Sequence, residues 1–339
     1  MDKDNKEKAL LSILITTYNR APILDKQLEI LKSYEDAGLC FELVVSNDCS
    51  SDNTDEVCLK WKDRFRKMKY IRLTERSGMD KNFMTVYEAF DTEYCWLLGD
   101  HRKISYEGLS KIISTLQIKK YTALITNASF RQSVEEKEYT GIKELMDEQG
   151  WHITDNSSCI IPRSFIKREL YHRHIGNTFL HMAIMVENLC LLEEFNVLFM
   201  PNVGATGLHI DSFKKVGWTC HPFHNFGIWW LSFVLSLPTQ IPLELKFKVV
   251  KDHNRHMNIF SIKRILFGIY RYGDIFVSSY KENRQYIEYL SDIPRWKYDL
   301  FFYCPKPIVS IAKCLYILLF KGGKVTKADY SDFSSATLH

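Results

Sequence analysis

Short apolar runs and stretches of spaced apolar residues alternate along the first third of the chain. The runs lie at 10–16, 41–46, 69–73, 93–98 and 121–126. Between them, 22–35, 53–66, 79–90 and 105–117 carry apolar residues at helical spacing with charges interleaved. The runs have strand length and the stretches helix length. Their alternation predicts βαβ units and a mostly parallel sheet flanked by helices, an α/β fold. Pro22 suits the first turn of a helix, and Ser51 or Asp52 the start of the next. From 127 the pattern weakens. Residues 135–150 are polar and read as a surface helix or a mobile loop. Residues 157–163 read as a strand, Phe179–Leu192 as an amphipathic helix and 196–201 as a short strand. Beyond about 210 the chain becomes aromatic and helical, and 304–324 has an apolar body flanked by lysines. The expected division is residues 1–212 and a helical extension, 213–339.

Composition narrows the classes. With 45 basic and 41 acidic side chains the net charge is +4, too balanced to argue for nucleic acid. The nine cysteines are scattered without a CxxC pair, which reads as reduced thiols in the cytoplasm rather than disulfides or zinc ligands. The amino-terminal MDKDNKEK has no apolar signal region, and no apolar run reaches the roughly 18 residues of a membrane span.

Chemistry gathers at strand ends. The first run ends in Thr16, Thr17, Tyr18 and Asn19; the second delivers Asp48, with Asp52 four residues on; the run at 93–98 delivers Asp100. Polar groups at the carboxyl ends of parallel strands line a ligand crevice. Glycine-rich phosphate loops are absent, which opposes dehydrogenase and P-loop readings. Helix capping competes with ligand contact for Asn19, Asp52 and Asp80. Gly78 permits a tight turn before Lys81 and Asn82, which could face phosphates.

TTYNR at 16–20, then Asn47-Asp48 with Ser50-Ser51-Asp52, then WLLGD at 96–100 together resemble the inverting family 2 glycosyltransferases of the GT-A fold, over roughly residues 8–210. GMDKNFMTVYEAFDTEYCWLLGD at 78–100 and Phe179-Leu180-His181 are closest in flavour to the abequosyltransferase-like enzymes of O-antigen and capsule assembly. The resemblance implies a nucleotide-sugar donor lying on Thr16, Tyr18 and Asn19, with Asp48 at the base and Asp52 beside it or in support. It places Lys81 toward the diphosphate and Asp100 at the ribose or a metal's water shell. It also implies a divalent metal, manganese or magnesium, held by a carboxylate two residues after Asp100. That position is Arg102. Either Arg102 neutralises the diphosphate itself, or Asp100 holds a metal with His101 or His209, or the site no longer turns over. An inverting transfer needs a base for the acceptor hydroxyl. Glu187, followed by Asn188, matches the family's acidic pair; His181 is the alternative, with a structural role competing for it.

The reading is a glycosyltransferase moving a sugar from a nucleotide-sugar to a lipid-linked glycan acceptor. It would lie peripherally on the inner face of a bacterial cell membrane and serve surface polysaccharide assembly. A non-catalytic scaffold and a nucleotidyltransferase are the rivals. Trp218, Phe223, Phe226, Trp229 and Trp230 would either dock on membrane or pack a helical subdomain.

Overall fold

Strands form where the apolar runs lie, because a parallel sheet covered on both faces needs near-continuous apolar residues. In the computed structural model, which describes residues 8–208 and 221–305, β1 (Leu11–Thr17), β2 (Glu42–Asn47), β3 (Met68–Arg72) and β4 (Tyr94–Leu97) alternate with α1 (Ala21–Asp36), α2 (Thr54–Lys62) and α3 (Met79–Ala89). There follow β5 (Arg102–Lys103), α4 (Tyr106–Ile118), β6 (Ala123–Thr126), β7 (Lys137–Tyr139), α5 (Ile142–Gln149) and β8 (Cys159–Pro162). Then come α6 (Arg168–Tyr171), α7 (Leu180–Leu191), β9 (Val197–Met200) and β10 (Thr206–Gly207). Eight strands make one sheet in the order β3-β2-β1-β4-β8-β6-β9-β7, and β5 pairs with β10 in a separate ribbon. The pairs β2–β3, β1–β2, β1–β4 and β6–β9 are parallel. The register sets Thr17 beside Asn47 and Leu14 beside Leu97, so β1, β2 and β4 end at one edge.

Local signals explain the helix starts. Pro22 sits in the first turn of α1. The Ser105 hydroxyl caps α4 by accepting from the Gly108 amide. Gly78 precedes α3 at φ 83°, a left-handed conformation that other residues adopt only with strain. The sheet and its helices share a core that includes Ile13, Leu24, Leu28, Val45, Trp96, Leu109, Leu124 and Leu198. Burying each large apolar side chain contributes about 1.5–3 kcal/mol.

Two expectations change, and the strand read at 157–163 gains an orientation. The polar stretch 135–150 is neither one helix nor a loop: Lys137–Tyr139 adds the edge strand β7, and α5 buries Leu145, Met146 and Gln149. β8 runs antiparallel to both β4 and β6. α7 is not amphipathic; every residue from Leu180 to Leu189 is buried, so no polar face remains.

The described residues fall into two compact units, 8–208 with Leu237–Ile241, and 221–236 with 242–305. The second is helical: a π-helical turn at His224–Trp229 leads into α8 (Trp230–Ser236), followed by α9 (Leu243–Met257), α10 (Ile262–Tyr272), α11 (Asp274–Asn283), α12 (Ile287–Leu290) and α13 (Arg295–Phe302). Its aromatics pack inward. Phe223 stacks on Phe260 at 5.1 Å and meets Tyr280 and Phe302 edge-on, and both Phe223 and Trp230 are buried. Those two rings are therefore core, not a membrane-docking face. Trp218 and the lysine-flanked segment at 306–321 lie outside the described residues. No helix among the described residues is long and apolar enough to cross a membrane.

Candidate active site

The turns after β1 and β2 are knitted together by short polar side chains. Asn19 adopts φ 52°, within reach for asparagine, and Cys49 adopts φ 57°, which is rare for its type. The Asn19 amide donates to Ser50 Oγ at 2.9 Å, and Asn19 Oδ1 accepts from the Ser51 amide at 2.8 Å. Asn19 therefore bridges two turns instead of capping α1. Asp52 serves both helix starts: Oδ2 accepts from the Ala21 amide and Oδ1 from the Thr54 amide. The capping role expected for Asp52 is present, on two helices at once.

Asp48 is buried and holds the turn before α3. Its Oδ1 accepts from the Ser77 amide at 2.6 Å and Ser77 Oγ at 2.8 Å, and its Oδ2 accepts from the Gly78 amide at 3.0 Å. A carboxylate offers about four acceptor positions, so one remains for a ligand. The Asp48 amide donates to the Thr17 carbonyl, and Tyr18, next in sequence, has the Arg76 guanidinium 4.3 Å from its ring centroid. Thr16 is half-buried at the end of β1, and Lys81 is exposed. Asn82 is buried and reaches the Ser46 carbonyl at 3.5 Å. Asp80 does not cap α3. Its Oδ2 accepts from the Gly176 and Thr178 amides at 2.6 and 3.0 Å, tying the loop before α7 to this turn. Burial raises its pKa, partly offset by those amides.

The turn after β4 is built from ions. Gln27, buried on α1, donates from Nε2 to the Gly99 and Arg102 carbonyls, both at 2.8 Å, and fixes the turn. Arg20 Nη1 lies 2.9 Å from Asp100 Oδ1 and 3.0 Å from His101 Nδ1. Burial would push the Asp100 carboxyl up, but Arg20 and His101 outweigh it and hold the pKa below the ordinary carboxylate range. Arg102 is only 1% exposed. Its Nη2 donates to Asp155 Oδ2 at 2.5 Å and its Nη1 to Ser129 Oγ at 2.8 Å. Arg131 Nη2 donates to the same Asp155 oxygen at 2.6 Å. Burial works against the ionised Asp155, yet the two guanidiniums and the Ser157 amide hold its pKa well below normal. Arg102 is thus not the free cation expected at the family's metal-ligand position; it is anchored in an internal ion cluster.

A divalent metal fits this donor set poorly. Asp100 is already neutralised by Arg20, and the position two residues on carries a cation that would repel a metal. Among the described residues no group of three His, Cys, Asp or Glu side chains could hold one. His209, the expected second ligand, lies outside the described residues.

Glu187, the candidate base, is buried within α7. It accepts from Arg173 Nη2 and lies 2.9 Å from His174 Nε2. Burial raises its pKa, but His174 and Arg173 reverse the sign, so it stays ionised. Its neighbour Asn188 is structural, donating to the Phe165 and Ile184 carbonyls. His181 is buried with Nε2 3.0 Å from the Thr154 carbonyl, which it can reach only as a donor, and its edge meets Phe83. Burial lowers its pKa to about 4, so it is neutral and weakly basic at pH 7. Reasoning from sequence missed Arg20, Gln27, Arg76, Arg131, Asp155, Arg173 and His174. Only Arg20, inside TTYNR, and Arg76, two residues before Gly78, carried a local signal.

Comparison with known proteins bears on the fold and the family. The abequosyltransferase RfbV of Salmonella typhimurium is 28% identical over 102 residues, covering 30% of this chain and 31% of that protein. Validoxylamine A glucosyltransferase of Streptomyces hygroscopicus subsp. jinggangensis is 47% identical over 62 residues, 18% of this chain and 14% of its own length. The chain thus matches under a third of the length of either relative. In fold it is similar to S. aureus TarS residues 1–349, a structure determined with UDP-GlcNAc, at a TM-score of 0.55 and 13% identity over 83% of this chain and 81% of that one. The mostly parallel sheet with flanking helices is the GT-A arrangement of such enzymes. The sequence model of Glycosyl transferase family 2 matches residues 12–186, more than half of the chain, and by that match together with the carboxylates at the ends of β2 and β4 the chain belongs to this family.

Proposed function

We propose that the chain transfers a sugar from a nucleotide-sugar donor to a lipid-linked glycan acceptor, with inversion at the anomeric carbon, in bacterial surface polysaccharide assembly. The observation that carries the reading is the polar edge where β1, β2 and β4 end, with Asp48 after β2 and Asp100 after β4 on the two sides of the β1 end, in a family 2 fold. The nucleotide lies against Thr16–Asn19 and Asp48, with residues 1–212 as the donor domain. Glu187 takes the acceptor proton, because ion pairing keeps it in the acceptor form. Peripheral membrane association at the inner face is supported by α13, where Trp296 and Leu300, four residues apart and so on one helix face, are 59% and 61% exposed. Pelleting of full-length protein with anionic liposomes checks this part.

The test is a panel of UDP-, GDP-, CDP- and dTDP-sugars, with and without manganese, read by release of nucleoside diphosphate in the presence of a lipid-linked glycan extract. Transfer from one nucleotide class supports the reading. Glu187→Gln should then lower turnover about 10²–10⁴-fold with donor affinity kept. Binding without any release would favour the scaffold reading, for which the ion pairs already formed by Asp100 and Arg102 are the supporting observation.

A further inference from the structure

We infer that Arg102 and Arg131, clamped on Asp155, form an anion subsite for the phosphate-bearing end of the donor, with permanent guanidinium charge where relatives would place a divalent cation. The inference rests on the donor-site reading above and adds Arg131 and Asp155 to it. Topology brings the three residues together. Arg102 follows β4, Arg131 follows β6, and Asp155 precedes β8. β8 runs antiparallel to both strands, so its start lies at the edge where they end.

Within this cluster of ion pairs the cations outnumber the carboxylates. Arg20, Arg102 and Arg131 face Asp100 and Asp155, three cations against two carboxylates. Asp155 Oδ2 takes both guanidiniums, and its Oδ1 is used by the Ser157 amide at 2.9 Å. After these bonds, Arg102 Nε and Arg131 Nε and Nη1 are buried with no hydrogen-bond partner in the structure. A buried charged N–H without a partner is strongly unfavourable and calls for an anion or water to complete it. Phosphate matches the need, because its oxygens accept from several guanidinium N–H groups at once and carry the opposite charge. Arg102 is the anchor; Arg131, with Nη2 on Asp155, keeps Nε and Nη1 as single donors on separate sides of its guanidinium.

The groups are enclosed, so entry requires movement of their cover. Ser129 and Phe130, which lead into Arg131, adopt φ 58° and 50° in succession, left-handed backbone for two residues that are not glycine. The Phe130 ring is 52% exposed and contributes little to hold the turn down. The Ser129 and Phe130 amides donate to the Ala205 and Asn127 carbonyls, so those two bonds would have to give for the strained turn to relax on ligand binding. The strain and the missing partners coincide within three residues.

The test uses full-length protein in EDTA and calorimetric titration with a nucleoside and its diphosphate, for whichever base the wild type binds. Arg131→Gln should weaken the diphosphate at least about tenfold and leave the nucleoside unchanged, and Arg131→Lys, which keeps the charge against Asp155 but loses the spare Nε–H and Nη1–H donors, should fall between. Asp48→Ala should weaken nucleoside and diphosphate alike. Should Arg131→Gln not fold, Arg131→Lys decides alone: a loss confined to the diphosphate supports the subsite. Diphosphate affinity equal to wild type in the variant, or equal losses for nucleoside and diphosphate, would overturn it, as would wild-type diphosphate binding that demands manganese. Wild type that binds no nucleotide at all would overturn the donor reading and this inference with it, whereas the preceding results strike the inference only.

Discussion

Two turns at the same sheet edge satisfy their carboxylates by different means. After β1 and β2, Asp48 and Asp52 accept mainly from backbone amides and hydroxyls, at Ser77, Gly78, Ala21 and Thr54. After β4 and before β8, Asp100 and Asp155 are matched by guanidiniums, from Arg20, Arg102 and Arg131. The first arrangement shapes a surface by local hydrogen bonds from neutral donors. The second leaves positive charge in excess. A nucleoside needs shape and a few fixed acceptors, whereas a diphosphate needs cations, so the two turns suit the two halves of one donor.

The contrast breaks most visibly at Asp155. Asp155→Asn leaves two buried guanidiniums without a counter-charge and should lower unfolding free energy by about 3–5 kcal/mol. Asp52→Ala, which removes only cap bonds, should cost about 1 kcal/mol. Denaturant unfolding compares the two, and equal losses would mean that the ionic turn is no more dependent on its charges than the other.

Acid titration sharpens the picture next to Asp155. His181 bonds to the Thr154 carbonyl, and burial lowers its pKa to about 4 from an unfolded value near 6.5. A histidine with a depressed folded pKa lends its stability fully above pH 6.5. That stability is lost as pH falls toward 4, because the unfolded chain takes the proton first. The loss should be about 3 kcal/mol between those limits. His181→Gln should flatten this part of the stability profile; an unchanged slope would show that other groups set it.

The turn at Asp48 gives a smaller effect. Asp48→Ala releases the Ser77–Gly78 turn and should cost about 1–2 kcal/mol of stability. At the bottom of the scale, Lys81→Ala removes an exposed side chain and should change stability by less than about 0.5 kcal/mol. If it weakens diphosphate binding as much as Arg131→Gln does, the diphosphate is held at the mouth of α3 and not behind Arg102.

The same contrast explains what was legible in the sequence. Asp48 and Asp52 stand next to their strand and helix, so a strand ending in a carboxylate before a polar turn announces them. The alternation of apolar runs likewise announces β1–β4 and α1–α4. Arg102 was visible as a departure from the family pattern, but its environment was not. Its partner Asp155 is 53 residues away and Arg131 lies 29 on, and no local periodicity links them. α7 misled for a related reason: His181, Glu187 and Asn188 read as a polar face, yet each is buried against a partner from another element, at Thr154, His174 and Phe165. The aromatic run at 221–230 could not be told from a membrane face, because whether Phe223 meets lipid or Phe260 is decided by tertiary packing.

The most direct measurement of the central claim, a nucleotide-sugar donor seated against Asp48 where β1 and β2 end, is calorimetric titration of wild type and Asp48→Ala with UDP, GDP, CDP and dTDP. The account expects one nucleotide class to bind wild type and to lose at least about tenfold in affinity in the variant, with the fold retained by circular dichroism. Binding of the same strength in both proteins, or no binding of any nucleotide to folded wild type, would contradict it.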